Sequence, residues 1–128
     1  MRRSLDKISD SVKLVIFDLD GTLVDAYEAI IKSMHFTLNK TGYPLAAPKR
    51  ICRAVGWGDK KLLAAFIKEE DLDAALTIYR AHHRGSLKKY SNLFPFTKRV
   101  LEYLSRRGVR IAIASNRPTV FTHILVGH

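Results

Sequence analysis

The run KLVIFDLDGTLVD, Lys13 to Asp25, constrains this chain more than any other part of it. Val12, Leu14, Val15, Ile16 and Phe17 are apolar with only Lys13 between them, a composition that suits a strand buried on both faces of a parallel sheet. The run ends on two aspartates one residue apart, Asp18 and Asp20, followed by Gly21 and Thr22. Side chains at i and i+2 of an extended strand point the same way, so the two carboxylates share one small space and repel. A divalent cation removes that conflict, and Mg²⁺ favours hard oxygen ligands of this kind together with phosphate and water. Gly21 lets the chain turn without a side chain in the way, and the Thr22 hydroxyl can donate to an oxyanion. The competing reading is a turn in which both aspartates accept backbone N–H bonds. The buried approach and the Gly-Thr that follows weigh against it.

A second run of this type is VRIAIA, Val109 to Ala114, entered from Gly108, which can close the preceding helix as its left-handed C′ residue. That helix is TKRVLEYLSRR, with Val100, Leu101 and Leu104 on its apolar face and Thr97 as a candidate N-cap. Strand, long intervening region, helix, strand: the two strands are expected side by side in one parallel sheet, joined by a right-handed crossover. The region between reads as helical throughout. Tyr27, Ile30, Ile31, Met34 and Leu38 recur at helical spacing until Gly42-Tyr43-Pro44. Asp59 is placed to cap a short helix carrying Leu62, Leu63 and Phe66; Leu72, Ala75, Leu76 and Tyr79 define another, with Gly85-Ser86 as a candidate break before Tyr90. Residues 26–90 are therefore expected to form an inserted helical unit, with 1–25 and 91–128 forming an α/β core. Pro118 opens a further expected helix carrying Val120, Phe121, Ile124 and Leu125.

A chain of 128 residues is in the range of one domain, so a second unit has to be an insertion. Its formal charge of +10 is high, but the basic residues are scattered as pairs such as Lys49-Arg50, Lys60-Lys61 and Arg106-Arg107, without the aromatic interleaving of a stacking platform. No nucleic-acid partner is expected. Cys52 is alone, which excludes a disulfide within the chain and a cysteine-rich metal site, and suits a reducing compartment. MRRSLDKISD has no apolar run behind it long enough for a signal peptide, and no stretch reaches the roughly 18 apolar residues of a membrane span. A cytoplasmic location with no membrane partner is the expectation.

Ser115 and Asn116 end the second strand as Asp18 ends the first. If the strands are neighbours, hydroxyl, amide and carboxylates open onto one crevice at the carboxyl ends of the strands, where α/β sheets bind ligands. A hydroxyl there can hold a phosphoryl oxygen, although Ser-Asn after a strand is also common loop chemistry. Arg117 either adds charge to the crevice or stays exposed on its loop. His82 and His83 either face the cleft or sit half buried on a helix, while Trp57 and Tyr79 read as helical core.

VIFDLDGTLVD resembles the first motif of the haloacid dehalogenase-like hydrolases, a superfamily of phosphatases and phosphomutases, and IAIASNRP, Ile111 to Pro118, resembles the second. AVGWGDKKLLAAF is similar to the four-helix cap inserted after the first strand, and YSNLFPFTKRVLEYLSRRGVRIAIASN to the return to the core in the phosphoglycolate phosphatase-like branch. The resemblance implies an α/β fold: a Rossmann-like three-layer parallel sheet, here partial, with an inserted all-helical cap. It implies that Asp18 is the nucleophile, forming an aspartyl-phosphate, and that Asp20 is general acid and base. It further implies that Mg²⁺ is held by the Asp18 carboxylate and the Asp20 backbone carbonyl, and that Gly21, Thr22, Ser115 and Asn116 hold the phosphoryl group. A carboxylate nucleophile splits the displacement into two steps, and a metal ion with backbone donors stabilises charge on the equatorial oxygens. The dehalogenases of the family lack an aspartate at the place of Asp20, which favours phosphoester hydrolysis. Phe96 stands where the family usually has glycine.

The lysine of the family's third motif and the acidic residues of its fourth have no counterpart before His128. The resemblance thus implies the N-terminal portion of a magnesium-dependent phosphomonoester hydrolase acting on a small phosphorylated metabolite. Self-association or a missing C-terminal segment would complete the core. The alternative is a non-catalytic module serving as an interaction subunit.

Overall fold

The computed structural model describes residues 10–118 and 121. In chain order its elements are β1 (Leu14–Phe17), β2 (Val24–Asp25), α1 (Tyr27–Thr41), α2 (Pro48–Ala54), α3 (Asp59–Ala64), α4 (Glu69–Tyr90), β3 (Asn92–Leu93), α5 (Thr97–Arg106) and β4 (Arg110–Ile113). The two apolar runs are parallel neighbours, with Leu14 opposite Arg110 and Phe17 opposite Ile113. This is the α/β arrangement with a parallel sheet and an interposed helical region that the sequence implies. β2 and β3 form a separate antiparallel pair, so the chain enters and leaves the four-helix region at one place.

Helical spacing builds that region. α1 buries Ala29, Ile30, Ser33, Met34, Thr37 and Leu38 along one face and stops at Gly42, whose φ of 79° is the left-handed conformation of a glycine cap. α4 buries Leu72, Ala75, Tyr79, His83, Ser86 and Leu87 at steps of three and four, and this stripe meets α1. The helix runs unbroken through Gly85-Ser86, where the sequence suggests an interruption. The Ser86 hydroxyl donates to the Ala29 carbonyl at 2.9 Å, and packing against α1 outweighs the weak helix preference of the pair.

Three further expectations are corrected. Thr97 does not cap its helix: its hydroxyl donates to the Leu23 carbonyl at 2.7 Å, a tertiary partner that ties α5 to the loop after β1. Asp59 is likewise no cap, because Arg80 takes both of its carboxylate oxygens, at 2.8 and 3.0 Å. Trp57 is 71% exposed and lies outside the core. Gly108, by contrast, closes α5 as expected, with φ of 70°.

β1 is not buried on both faces. Leu14 is 48% and Ile16 61% exposed, because among the described elements only β4 pairs with β1 and nothing covers these side chains. The core lies instead among the helices and the loop after β1, around Leu19, Met34, Leu38, Ile51, Leu63 and Leu87. Of the helix expected after Pro118, Phe121 is helical and buried, while Val120, Ile124 and Leu125 lie outside the described residues. Among the described residues no helix is long and apolar enough to cross a membrane.

Candidate active site

The loop after β1 is a tight turn built on one carbonyl. Leu19 O accepts the amides of Thr22, Leu23 and Val24, and the Gly21 amide donates back to Val24 O at 3.0 Å. Gly21 has φ of 78°, a left-handed conformation that calls for glycine, and the Tyr27 hydroxyl would stand 2.8 Å from a Cβ there. The turn presents Asp18 and Asp20 to a cavity of about 230 Å³. Ser115 and Asn116, at the end of β4, line the same cavity, so four of the residues singled out from sequence meet there. Gly21 and Thr22 do not line it. Asp18 Oδ1 accepts the Leu19 amide at 2.9 Å, and Ser115 Oγ accepts the Arg117 amide at 3.1 Å, so each of these groups also has a local bond of the kind a plain turn would make.

The helical region supplies the opposite wall. Tyr27, Tyr79 and His83 line it from α1 and α4, and Gly56 and Gly58 from the loop before α3. That loop touches the β4 end directly: Asn116 Nδ2 donates to Gly56 O at 2.7 Å, and a Cβ on Gly58, whose φ is 92°, would lie 3.0 Å from Asn116 O. Burial, first, and then the nearby Cys52 thiol and Asp20 push the Tyr27 hydroxyl pKa up.

Arg117 is the feature that the sequence leaves open and the structure resolves. Its side chain is 6% exposed, and its guanidinium spans both oxygens of Asp20, Nε to Oδ2 at 3.0 Å and Nη2 to Oδ1. Its Nη1 donates to His83 Nε2 at 2.8 Å. A guanidinium only donates, so His83 Nε2 accepts and the ring carries its proton on Nδ1. That N–H points to Ser33 Oγ at 2.9 Å, and the same hydroxyl lies 3.0 Å from His82 Nδ1. Tyr79 stacks on the His83 ring at 4.8 Å. Burial, with Arg117 and His82 adding repulsion, brings the His83 pKa down to about 3, so the ring is neutral at neutral pH. His83 and Arg117 are functional candidates that spacing alone does not select. The available signal is a polar residue on the apolar Leu72–Ala75–Tyr79 stripe of α4 and a cation two positions after Ser115.

Charges lining the cavity are Asp18, Asp20, Asp59 and Arg117, with Asp59 neutralised by Arg80. Among the described residues no group of three or more His, Cys, Asp or Glu side chains forms a metal cage. One carboxylate suffices for Mg²⁺ when phosphate, backbone carbonyl and water supply the rest. The donor set therefore fits through the Asp18 carboxylate, the Asp20 carboxylate being engaged by Arg117.

Residues 15–125 match the family described as haloacid dehalogenase-like hydrolase. A phosphoglycolate phosphatase from Aliivibrio fischeri is 30% identical over 123 residues, covering 88% of this chain and 54% of that protein. A haloacid dehalogenase-like family hydrolase from Streptococcus pneumoniae superposes with a TM-score of 0.83 at 26% identity, covering 92% of this chain and 56% of the other. Protein tyrosine kinase A of Mycobacterium tuberculosis superposes at 0.78 with 33% identity, covering 92% and 55%. The chain spans about half the length of the curated relatives it matches.

Proposed function

The chain belongs to the haloacid dehalogenase-like hydrolases, and on that premise we propose that its cavity is the active site of a phosphomonoester hydrolase acting on a small phosphorylated metabolite in the cytoplasm. The observation that carries this reading is the meeting of Asp18 and Asp20 with Ser115 and Asn116 on one cavity, at the carboxyl ends of two adjacent parallel strands.

Asp18 attacks phosphorus, the bond from phosphorus to the leaving oxygen breaks, and an aspartyl-phosphate forms. Asp20 gives the leaving oxygen its proton and later takes one from the water that hydrolyses the intermediate. Its two oxygens rest on Arg117, so one has to come free for either transfer. Ser115 and Asn116 donate to the oxygens of the transferring group, with Gly21 and Thr22 shaping the turn beneath it. The Asp18 carboxylate and the Asp20 backbone carbonyl would hold Mg²⁺, which when bound offsets the repulsion between the nucleophile and the phosphate. The helices above the strands exclude water and meet the leaving group. The phosphoglycolate phosphatase relative supports a small phosphorylated substrate. A second reading, a non-catalytic interaction module, is favoured by the uncovered face of β1.

Hydrolysis of an aryl phosphate by the full chain, with and without Mg²⁺, separates the two. Mg²⁺-dependent turnover that falls by about 10³-fold or more in Asp18→Asn supports the enzyme. A folded chain without turnover, or an Asp18→Asn variant as active as its parent, sinks that reading.

A further inference from the structure

Arg117 is the only lysine or arginine among the described residues that line the cavity. An anion entering between Asp18 and Asp20 therefore meets one cation, and its position decides whether the anion is attracted or repelled. A guanidinium grips a carboxylate or a phosphate best through its planar fork, so its orientation matters as much as its charge. Asp20 holds the Nε and Nη2 side of that fork, and the Nη1 side rests on one buried imidazole from the helical region, His83.

Three facts make that imidazole suited to holding a cation. It is 1% exposed, so its ring nitrogens are largely withdrawn from bulk water. Its ring is clamped between Tyr79, stacked at 4.8 Å, and Phe121, edge-on at 5.1 Å. Arg117 can only donate, which makes Nε2 an acceptor and places the ring proton on Nδ1, where Ser33 Oγ at 2.9 Å can accept it. A hydrogen-bonded line thus runs from His82 of α4 through Ser33 of α1 and His83 of α4 to Arg117 in the loop after β4.

We propose that His83 is a positioning residue, whose Nε2, with the ring proton on the Nδ1 that faces Ser33, holds Arg117 in the cavity so that its guanidinium can pass from Asp20 to the phosphoryl group of a substrate. The inference rests on the reading of the cavity as a phosphate-ester site, and it extends that reading. The cation that receives the anion is aimed from the helical region, through a contact that persists whether Asp20 or phosphate holds the rest of the fork. When phosphate takes the fork, Asp20 is released at the moment its oxygens are needed.

The test uses the full chain, inorganic phosphate as probe, and two substitutions. His83→Phe keeps an aromatic ring against Tyr79 but has no acceptor; His83→Gln keeps an acceptor near the place of Nε2. Phosphate affinity is expected to fall about tenfold in His83→Phe and to stay within about threefold of the parent in His83→Gln. In the unsubstituted chain, ¹⁵N spectra are expected to show the His83 proton on Nδ1 and a slowly exchanging Arg117 Nε–H, a readout that needs no variant to fold and no turnover. A proton on Nε2, equal phosphate affinity in His83→Phe and the parent, or equal losses in His83→Phe and His83→Gln would each overturn the proposal. Activity is scored separately. Phosphate binding with these His83 effects but no hydrolysis counts against the enzyme reading and leaves the positioning role standing.

Discussion

At the scale of single residues, a buried histidine is an acid-sensitive part of the fold. The ordinary pKa of 6.5 falls to about 3 for His83 in the folded chain, chiefly through burial. As pH drops below 6.5 the unfolded chain takes up a proton that the folded one refuses, so the unfolded state binds more protons and stability declines with pH. The contribution is complete above 6.5 and is lost progressively down to about 3. His82, also lowered by burial, acts in the same direction. Urea unfolding at about pH 7 and about pH 5 should show His83→Gln losing less stability than the parent between the two, by about 2 kcal/mol. Parallel losses would mean that His83 is protonated in the folded state. The Asp18-Asp20 pair is legible in the sequence because its chemistry is local: a strand end, a spacing of two and a glycine. The Arg117–Asp20 and Arg117–His83 contacts are not, since they join residues that only the completed fold brings together.

At the scale of elements, periodicity and neighbour effects diverge. α1 and the two long strands follow from local pattern, and their bounds in the structure fall within a few residues of the pattern's own. α4 does not, because the Gly85-Ser86 pair signals a break that the α1 contact overrides. The caps expected of Thr97 and Asp59 fail for a related reason: a hydroxyl and a carboxylate that could bond their own helix found partners on another element, Leu23 and Arg80. Gly85 lies within a helix, is exposed, and has nothing within 4 Å of where a Cβ would stand. Gly85→Ala is therefore expected to raise stability by about 0.5–1 kcal/mol, read as an increase in the midpoint of thermal or urea unfolding. A decrease would show that the helix bends at this point in solution.

At the scale of the molecule, burial is distributed unevenly. The four-helix region and the loop after β1 contain most of the buried apolar side chains, while β1 and β4 leave Leu14, Ile16, Ile111 and Ile113 partly in water. The apolar strand runs are legible in the sequence, but what covers them is not, because a buried strand and an uncovered one are written with the same residues. Two substitutions measure the difference. Leu19→Ala, at a side chain 2% exposed, is expected to cost about 2–4 kcal/mol. Ile16→Thr, at one 61% exposed, should cost less than about 0.5 kcal/mol. Comparable losses would mean that Ile16 is covered in solution, as it would be by a second copy of the chain.

The pairing of Leu14 with Arg110 also sets an expected order of events in time. Neighbours so far apart in sequence meet slowly, because most of the chain must be gathered before their contact brings any return. β2 and β3 close the base of the four helices and bring Asp25 beside Asn92, which removes most of the intervening chain from the search. Helices first, sheet last is the sequence this topology favours. The two halves of the cavity, one on each long strand, are consequently among the last parts of the molecule to come together, and a nascent chain carries its paired aspartates unmatched until β4 has been made.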